Sequence, residues 1–337
     1  MIWVFVEASA DGEIMYHGII NVYKEAGFTS HDVVAKLRGI SKQKKIGHTG
    51  TLDPDAVGVL PVCLGRGTKV CDMLTDRTKE YVACLRLGLV TDTQDISGKV
   101  LEEMPVNVNK EEVLDVMQSF VGDIMQIPPM YSALKVNGKK LYELAREGKE
   151  VERKARPVTV YEIEVLKEAH PEYEIRVVCS KGTYIRTLCH DIGQKLGCGG
   201  VMTKLTRTGV GEFKIKDTYT LGQLQQLADE GKLRQAVTPI EKLFEKLPAL
   251  KVTPEGIKAL QNGNQLKTRE VLPFDRAIQD KGAEGVCDMT AEAFEETKPY
   301  FSEGKQFRVY NDENEFCAVY AYEQKRRLLC PVKMFFQ

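Results

Sequence analysis

Cysteine pairs at metal-binding or disulfide spacing are missing from this chain: its nine cysteines are scattered and never stand as CxxC. That excludes a zinc ribbon and a disulfide-stapled fold, and it points to a reducing compartment. Long apolar runs are missing too. The opening Met1–Val6 is too short for a bilayer span or a signal segment, and no basic residue precedes it. A soluble, cytoplasmic protein with no membrane partner is expected. Charge of one sign is not in excess either: 47 Lys and Arg face 48 Asp and Glu, a formal net charge of −1. The sum gives no support for a polyanionic partner, although binding depends on local surface and not on the total. There is no internal repeat, no low-complexity tract and no nucleophile elbow for a Ser–His–Asp hydrolase.

What is present suits a globular chain: 43% of residues are hydrophobic and 28% charged, and 337 residues suggest one large and one small domain. Residues 1–14 read as an extension. Gly18–Val22 follows as a strand, and Thr29-Ser30 caps a helix running through Leu37. Val57–Leu64 reads as a buried strand or strand pair, and Glu80–Gly88 alternates like another. Residues 109–121 place Val113, Val116, Met117 and Phe120 on one helical face. Val158–Val165 and Tyr173–Cys179 look like paired strands; Arg186–Leu196 and Leu221–Glu230 look helical. A composition shift at Leu247-Pro248 marks a junction. Beyond it come a capped helix Thr253–Leu260, an acidic segment from Asp275 to Glu296, and strands at Gln306–Tyr310 and Glu315–Tyr322.

The strongest local signal for chemistry is Gly47-His48-Thr49-Gly50-Thr51-Leu52-Asp53-Pro54. Pro54 pushes Asp53 toward an extended backbone, so the loop projects a carboxylate that is already ionised at neutral pH and needs no base to activate it. A turn aspartate making an Asx bond would fit the same spacing. In Cys179-Ser180-Lys181-Gly182-Thr183-Tyr184-Ile185-Arg186 a strand breaks at glycine before a helix that starts with an arginine. Such a guanidinium could pair with a buried carboxylate or simply face solvent. His48 could stack on a base or satisfy a carbonyl. Tyr81 could stack on an everted base or only pack. Lys135, Lys139, Lys140, Arg146 and Lys154 lie in a basic stretch that could grip phosphates, although interleaved glutamates equally fit a solvated helix.

Taken together, over residues 16–246, these motifs resemble the TruB-type tRNA pseudouridine synthases, which modify uridine 55 in the T loop. The resemblance implies an α+β fold: a mixed, largely antiparallel central sheet flanked by helices, with a small C-terminal PUA-like β domain from residue 248. It implies Asp53 as nucleophile, Arg186 as its ion-pair partner and Tyr81 as the stacking ring. His48 and Leu205 fall on contacts near the flipped nucleotide. Pro128–Lys135, continuing to Arg146, resembles the thumb that closes on the T loop, an insertion of about 128–156. Near Leu205 the pattern departs from the family: Met202 and Thr206 stand where a histidine and an arginine are common. No metal or cofactor is implied; tRNA is the implied partner, and a monomer is expected. Two other readings remain from the residues alone. One is an RNA-folding chaperone; the other is a base-releasing glycosidase using Asp53 and Asp55.

Overall fold

The computed structural model describes residues 6–8, 14–136, 138–274 and 301–336. Ten strands form the larger sheet. Eight run in the order Val237–Thr238, Gly18–Lys24, Val57–Leu64, Gly200–Val210, Lys79–Leu87, Glu172–Cys179, Arg156–Ala169 and Gly122–Gln126. Ile46–His48 adds to Val57–Leu64, and Phe213–Lys214 adds to Gly200–Val210. The local causes are plain. In Lys79–Leu87 every second residue is buried, the period that a half-covered strand requires. Thr29 and Asp32 form a reciprocal capping box at the head of helix Ser30–Ser41, and Asn109 with Glu112 does the same for Lys110–Gln118.

One pairing in this sheet is parallel: Val57–Leu64 meets Gly200–Val210 in the register Thr206 to Val57 and Arg207 to Gly58. Gly58 has φ +108°, and a Cβ there would lie 2.2 Å from the Arg207 carbonyl oxygen. Only glycine lets the two strands approach this closely. Arg207 is thereby brought under the loop that precedes Val57.

A second, six-stranded sheet begins at Ala249–Val252 and includes Gln306–Tyr310, Phe316–Glu323 and Leu328–Met334. The two sheets share an apolar seam in which Ile19, Val59, Phe244, Phe316 and Phe335 are buried together. Here the structure adds to and amends the sequence reading. Leu328–Met334 is a strand that the sequence reading did not include; Pro331, which has no N–H to donate, lies in it beside a register shift. The short helix runs Ile257–Gln261 rather than from Thr253: its N-cap is Gly256, and the Thr253 hydroxyl makes no capping bond. The acidic segment from Asp275 to Glu296 lies outside the described residues. No described helix is long and apolar enough to cross a membrane.

Candidate active site

The loop 47–54 is fixed on both sides of Asp53, which leaves its carboxylate projecting. The Leu52 N–H donates to Ser30 Oγ at 3.0 Å. On the other side the Pro54 carbonyl accepts from the Gly27 N–H at 3.0 Å and from Lys24 Nζ at 2.8 Å. Lys24 is fully buried and also donates to the Phe28 carbonyl at 2.6 Å. Burial pulls its pKa down to about 8, against the pull of Asp53. Arg207, 2% exposed, donates to the Val59 carbonyl at 2.6 Å and the Thr51 carbonyl at 3.4 Å. These cations hold the loop backbone and leave the Asp53 carboxylate to another partner.

That partner is Arg186. It stands in the first turn of helix Ile185–Lys195, where the helix dipole disfavours a cation, so compensation must come from outside the helix. Its Nε lies 3.0 Å from Asp53 Oδ2, and its Nη2 donates to Oδ1 at 3.3 Å, a two-pronged pair. Nη1 reaches Asp95 Oδ2 at 3.3 Å and the Thr93 carbonyl at 3.2 Å, and Nη2 also donates to the Tyr131 carbonyl at 2.8 Å. The Arg186 side chain is 5% exposed, whereas the Asp53 side chain is 43% exposed.

The charge state of Asp53 departs from the simple expectation that Arg186 lowers its pKa. Burial raises it, Arg186 opposes the rise, and Asp95 adds to it; the net direction is upward. The sign follows for activity and stability alike. Asp53 ionises at a higher pH than an ordinary aspartate, so turnover should fall on acidification earlier than an unperturbed carboxylate would give. A raised folded-state pKa favours the fold below the ordinary aspartate range, and that contribution is lost as pH rises through the shifted value. A rate profile whose acid limb sits at an ordinary aspartate pKa would contradict this environment.

Tyr81 is on the inward face of its strand and 8% exposed, in one cluster with Leu52 and Ala56; Leu205 packs partly buried against the same cluster. The ring is therefore a wall of the site rather than an open platform. Arg207 lies beside its hydroxyl, and burial pushes the phenol pKa up, so it stays protonated. His48 is half-buried, its Nδ1 accepting from the Gly50 N–H at 3.4 Å, with its ring edge-on to His31 at 5.2 Å. Burial first, and His31 second, push its pKa down, so it is neutral at pH 7.

The basic stretch forms a small hairpin, Lys135–Val136 against Lys139–Lys140, followed by helix Leu141–Arg146. Lys140 and Arg146 lie over the Tyr142 ring at 5.4 and 5.5 Å. Lys139 and Lys149 pair with Glu147 at 3.6 and 2.7 Å, while Lys135 and Lys154 are exposed. Surface pairs of this kind are weak and easily exchanged for phosphate contacts. The structure thus gathers Asp53, Arg186, Tyr81 and Leu205 at one place, with His48 in the same loop and the basic hairpin joined through Tyr131. Sequence reasoning did not single out Asp95, Lys24 or Arg207. Asp95 and Arg207 lie in segments that follow the family pattern, but no role attached to either side chain, and only the fold shows what each of the three touches. Among the described residues no cluster of His, Cys, Asp or Glu is arranged to hold a metal ion.

Comparison with known proteins fits this constellation. Residues 38–185 match the TruB family pseudouridylate synthase N-terminal domain, and residues 186–245 match the tRNA pseudouridylate synthase B C-terminal domain. The chain belongs to the TruB family of pseudouridylate synthases. A relative from Lachnoclostridium phytofermentans, named tRNA pseudouridine synthase B, is 49% identical over 327 residues, covering 95% of this chain and 99% of its own. One of the same name from Staphylococcus aureus is 48% identical over 276 residues, 79% of this chain and 90% of its own. A chain solved in a Cbf5-Nop10-Gar1 complex is 29% identical, with a TM-score of 0.66 over 95% of this chain and 85% of that one. The protein is an enzyme that isomerises uridine to pseudouridine in tRNA.

Proposed function

We propose that the target is uridine 55 of the T loop, that it is everted into the site beside Tyr81, and that Asp53 is the nucleophile. The observation that carries this reading is the two-pronged pair between Asp53 and the buried Arg186, with the rest of the carboxylate open to a substrate. In the isomerisation the N1–C1′ bond breaks, the uracil turns, and a C5–C1′ bond forms. The C5 hydrogen leaves as a proton and N1 takes one up, so atoms and electrons balance without a redox partner. Arg186 orients the Asp53 anion, and Asp95 keeps Arg186 in place. Eversion of a base costs a few kcal/mol, which stacking and phosphate contacts offset. The base-releasing alternative is not favoured: Asp55 is exposed, and the cations described above converge on the 47–54 loop and Asp53.

We assign residues 15–247 to the catalytic domain, with the insertion of about 128–156 as the RNA-gripping thumb. Residues 248–337 are assigned to a PUA-like domain that holds the acceptor arm, and 1–14 to an extension. The shared apolar seam supports a fixed relation between the two RNA-binding parts. The enzyme is taken to act as a cytoplasmic monomer. Replacing Lys135, Lys139, Lys140 and Lys154 together by Ala should weaken tRNA binding and flatten the slope of log K against log salt by roughly 0.7–0.9 for each phosphate no longer neutralised. Binding titrations at several salt concentrations test this; an unchanged slope rejects phosphate binding by the hairpin. Turnover by Asp53→Asn would reject the nucleophile assignment.

A further inference from the structure

Gln126 ends its strand where the insertion leaves the sheet, and it pairs in register with Arg156, where the chain returns. Its side chain is 2% exposed. A buried amide must find both a donor and an acceptor, and this one finds them on a single residue. Gln126 Nε2 donates to the Tyr184 carbonyl at 3.0 Å, and Oε1 accepts from the Tyr184 N–H at 2.8 Å. A side chain here takes the place of a neighbouring strand.

Tyr184 is the N-cap of helix Ile185–Lys195, and its own side chain supplies no capping bond. Its carbonyl also accepts the first helical bond, from the Leu188 N–H at 3.0 Å. Arg186 is two residues further on, so whatever fixes Tyr184 fixes the start of the helix that aims the guanidinium. The circuit closes on the insertion itself, because Arg186 Nη2 donates to the Tyr131 carbonyl at 2.8 Å. The root of the RNA-gripping hairpin and the Asp53–Arg186 pair are thus joined twice, once through Gln126 and once through Tyr131.

We propose that Gln126 is a positioning residue for the isomerisation: it holds Tyr184, and through it Arg186, in register with Asp53 at the point where the insertion hinges. The inference rests on the reading of Asp53 as the nucleophile. A residue placed in this way acts on the rate of the bound complex and leaves affinity for tRNA unchanged.

The test uses the full chain and unmodified tRNA transcript. Gln126→Met keeps the volume and removes both bonds. Its single-turnover rate at saturating tRNA should fall about tenfold or more, as the removal of two hydrogen bonds implies, with Kd unchanged. Gln126→Glu gives a sharper readout. An ionised carboxylate can accept from the Tyr184 N–H but opposes the Tyr184 carbonyl, whereas a protonated carboxyl restores both bonds. Burial raises the pKa of such a carboxyl, so the rate of Gln126→Glu divided by that of wild type should rise as pH is lowered below neutrality. Dividing by wild type removes the acid limb that Asp53 itself imposes. An unchanged rate for Gln126→Met, a loss confined to Kd, or a pH-independent ratio for Gln126→Glu overturns the proposal. Melting curves run in parallel show whether Gln126→Met is folded at the assay temperature; if it is not, the pH ratio decides. Asp53→Asn serves as control: turnover by that variant rejects the nucleophile reading, while an inactive Asp53→Asn beside a fully active Gln126→Met rejects only the role of Gln126.

Discussion

Asp53→Asn should bind tRNA as tightly as wild type and form no measurable pseudouridine, a loss of at least about 10⁴-fold in turnover. The amide has nearly the shape of the carboxylate and keeps one of the two bonds from Arg186 through its oxygen, while Asp95 and the Thr93 and Tyr131 carbonyls still hold the guanidinium. It carries no anion, and so it cannot attack. The variant should also be no less stable than wild type at neutral pH. Burial raises the pKa of Asp53 despite Arg186, which means that the folded protein holds the charged form under a penalty that the neutral amide does not share. Filter binding, product analysis and a melting curve on the one variant check all three expectations. A marked fall in melting temperature would mean that the pair serves the fold more than the chemistry.

Arg186→Ala should do more widespread damage. Its guanidinium binds Asp53, Asp95 and the carbonyls of Thr93 and Tyr131, and the side chain is 5% exposed. Removing it leaves two carboxylates facing each other and two carbonyls without their donor. Breaking a fully buried ion pair costs about 3–5 kcal/mol; here roughly 2–3 kcal/mol is expected, because Asp53 is partly solvated. Turnover should fall by about 10³-fold, the scale of losing an oriented charge partner at a reacting group. The acid limb of the residual activity should move to higher pH, since the main force lowering the Asp53 pKa has gone. Arg186→Lys keeps the charge but not the fork, and should recover stability better than rate. Equal recovery of both would indicate that net charge alone, without orientation, suffices.

Local rules made much of the secondary structure legible. The Thr29 cap, the period-two burial of Lys79–Leu87 and the apolar face bearing Val113 and Met117 all follow from neighbours within a few residues. Elsewhere they failed. Thr253 looked like a cap, but its hydroxyl makes no capping bond and the helix starts after Gly256, and the closing strand Leu328–Met334, with Pro331 beside a register shift, went unread.

For the site, spacing alone left Asp53 open to a bland turn role, and the family resemblance singled it out together with Arg186. The remainder was hidden by sequence distance. Asp95 lies 91 residues from Arg186, and Arg207 lies 156 from Thr51, so nothing in either neighbourhood announces the pairing. The upward shift at Asp53 was hidden for a related reason. An opposite charge can be guessed from a motif, but the desolvation that outweighs it depends on how many unrelated segments crowd one carboxylate.

The most direct measurement uses tRNA carrying tritium at uridine C5, incubated with wild type and with Asp53→Asn. Wild type is expected to release tritium to water from one uridine per tRNA, at position 55, with no free uracil and an RNA of unchanged mass apart from the isotope. Asp53→Asn is expected to release none while still retaining the tRNA on a filter. Free uracil, or full tritium release by Asp53→Asn, would contradict the assignment of this carboxylate as the group that carries the isomerisation.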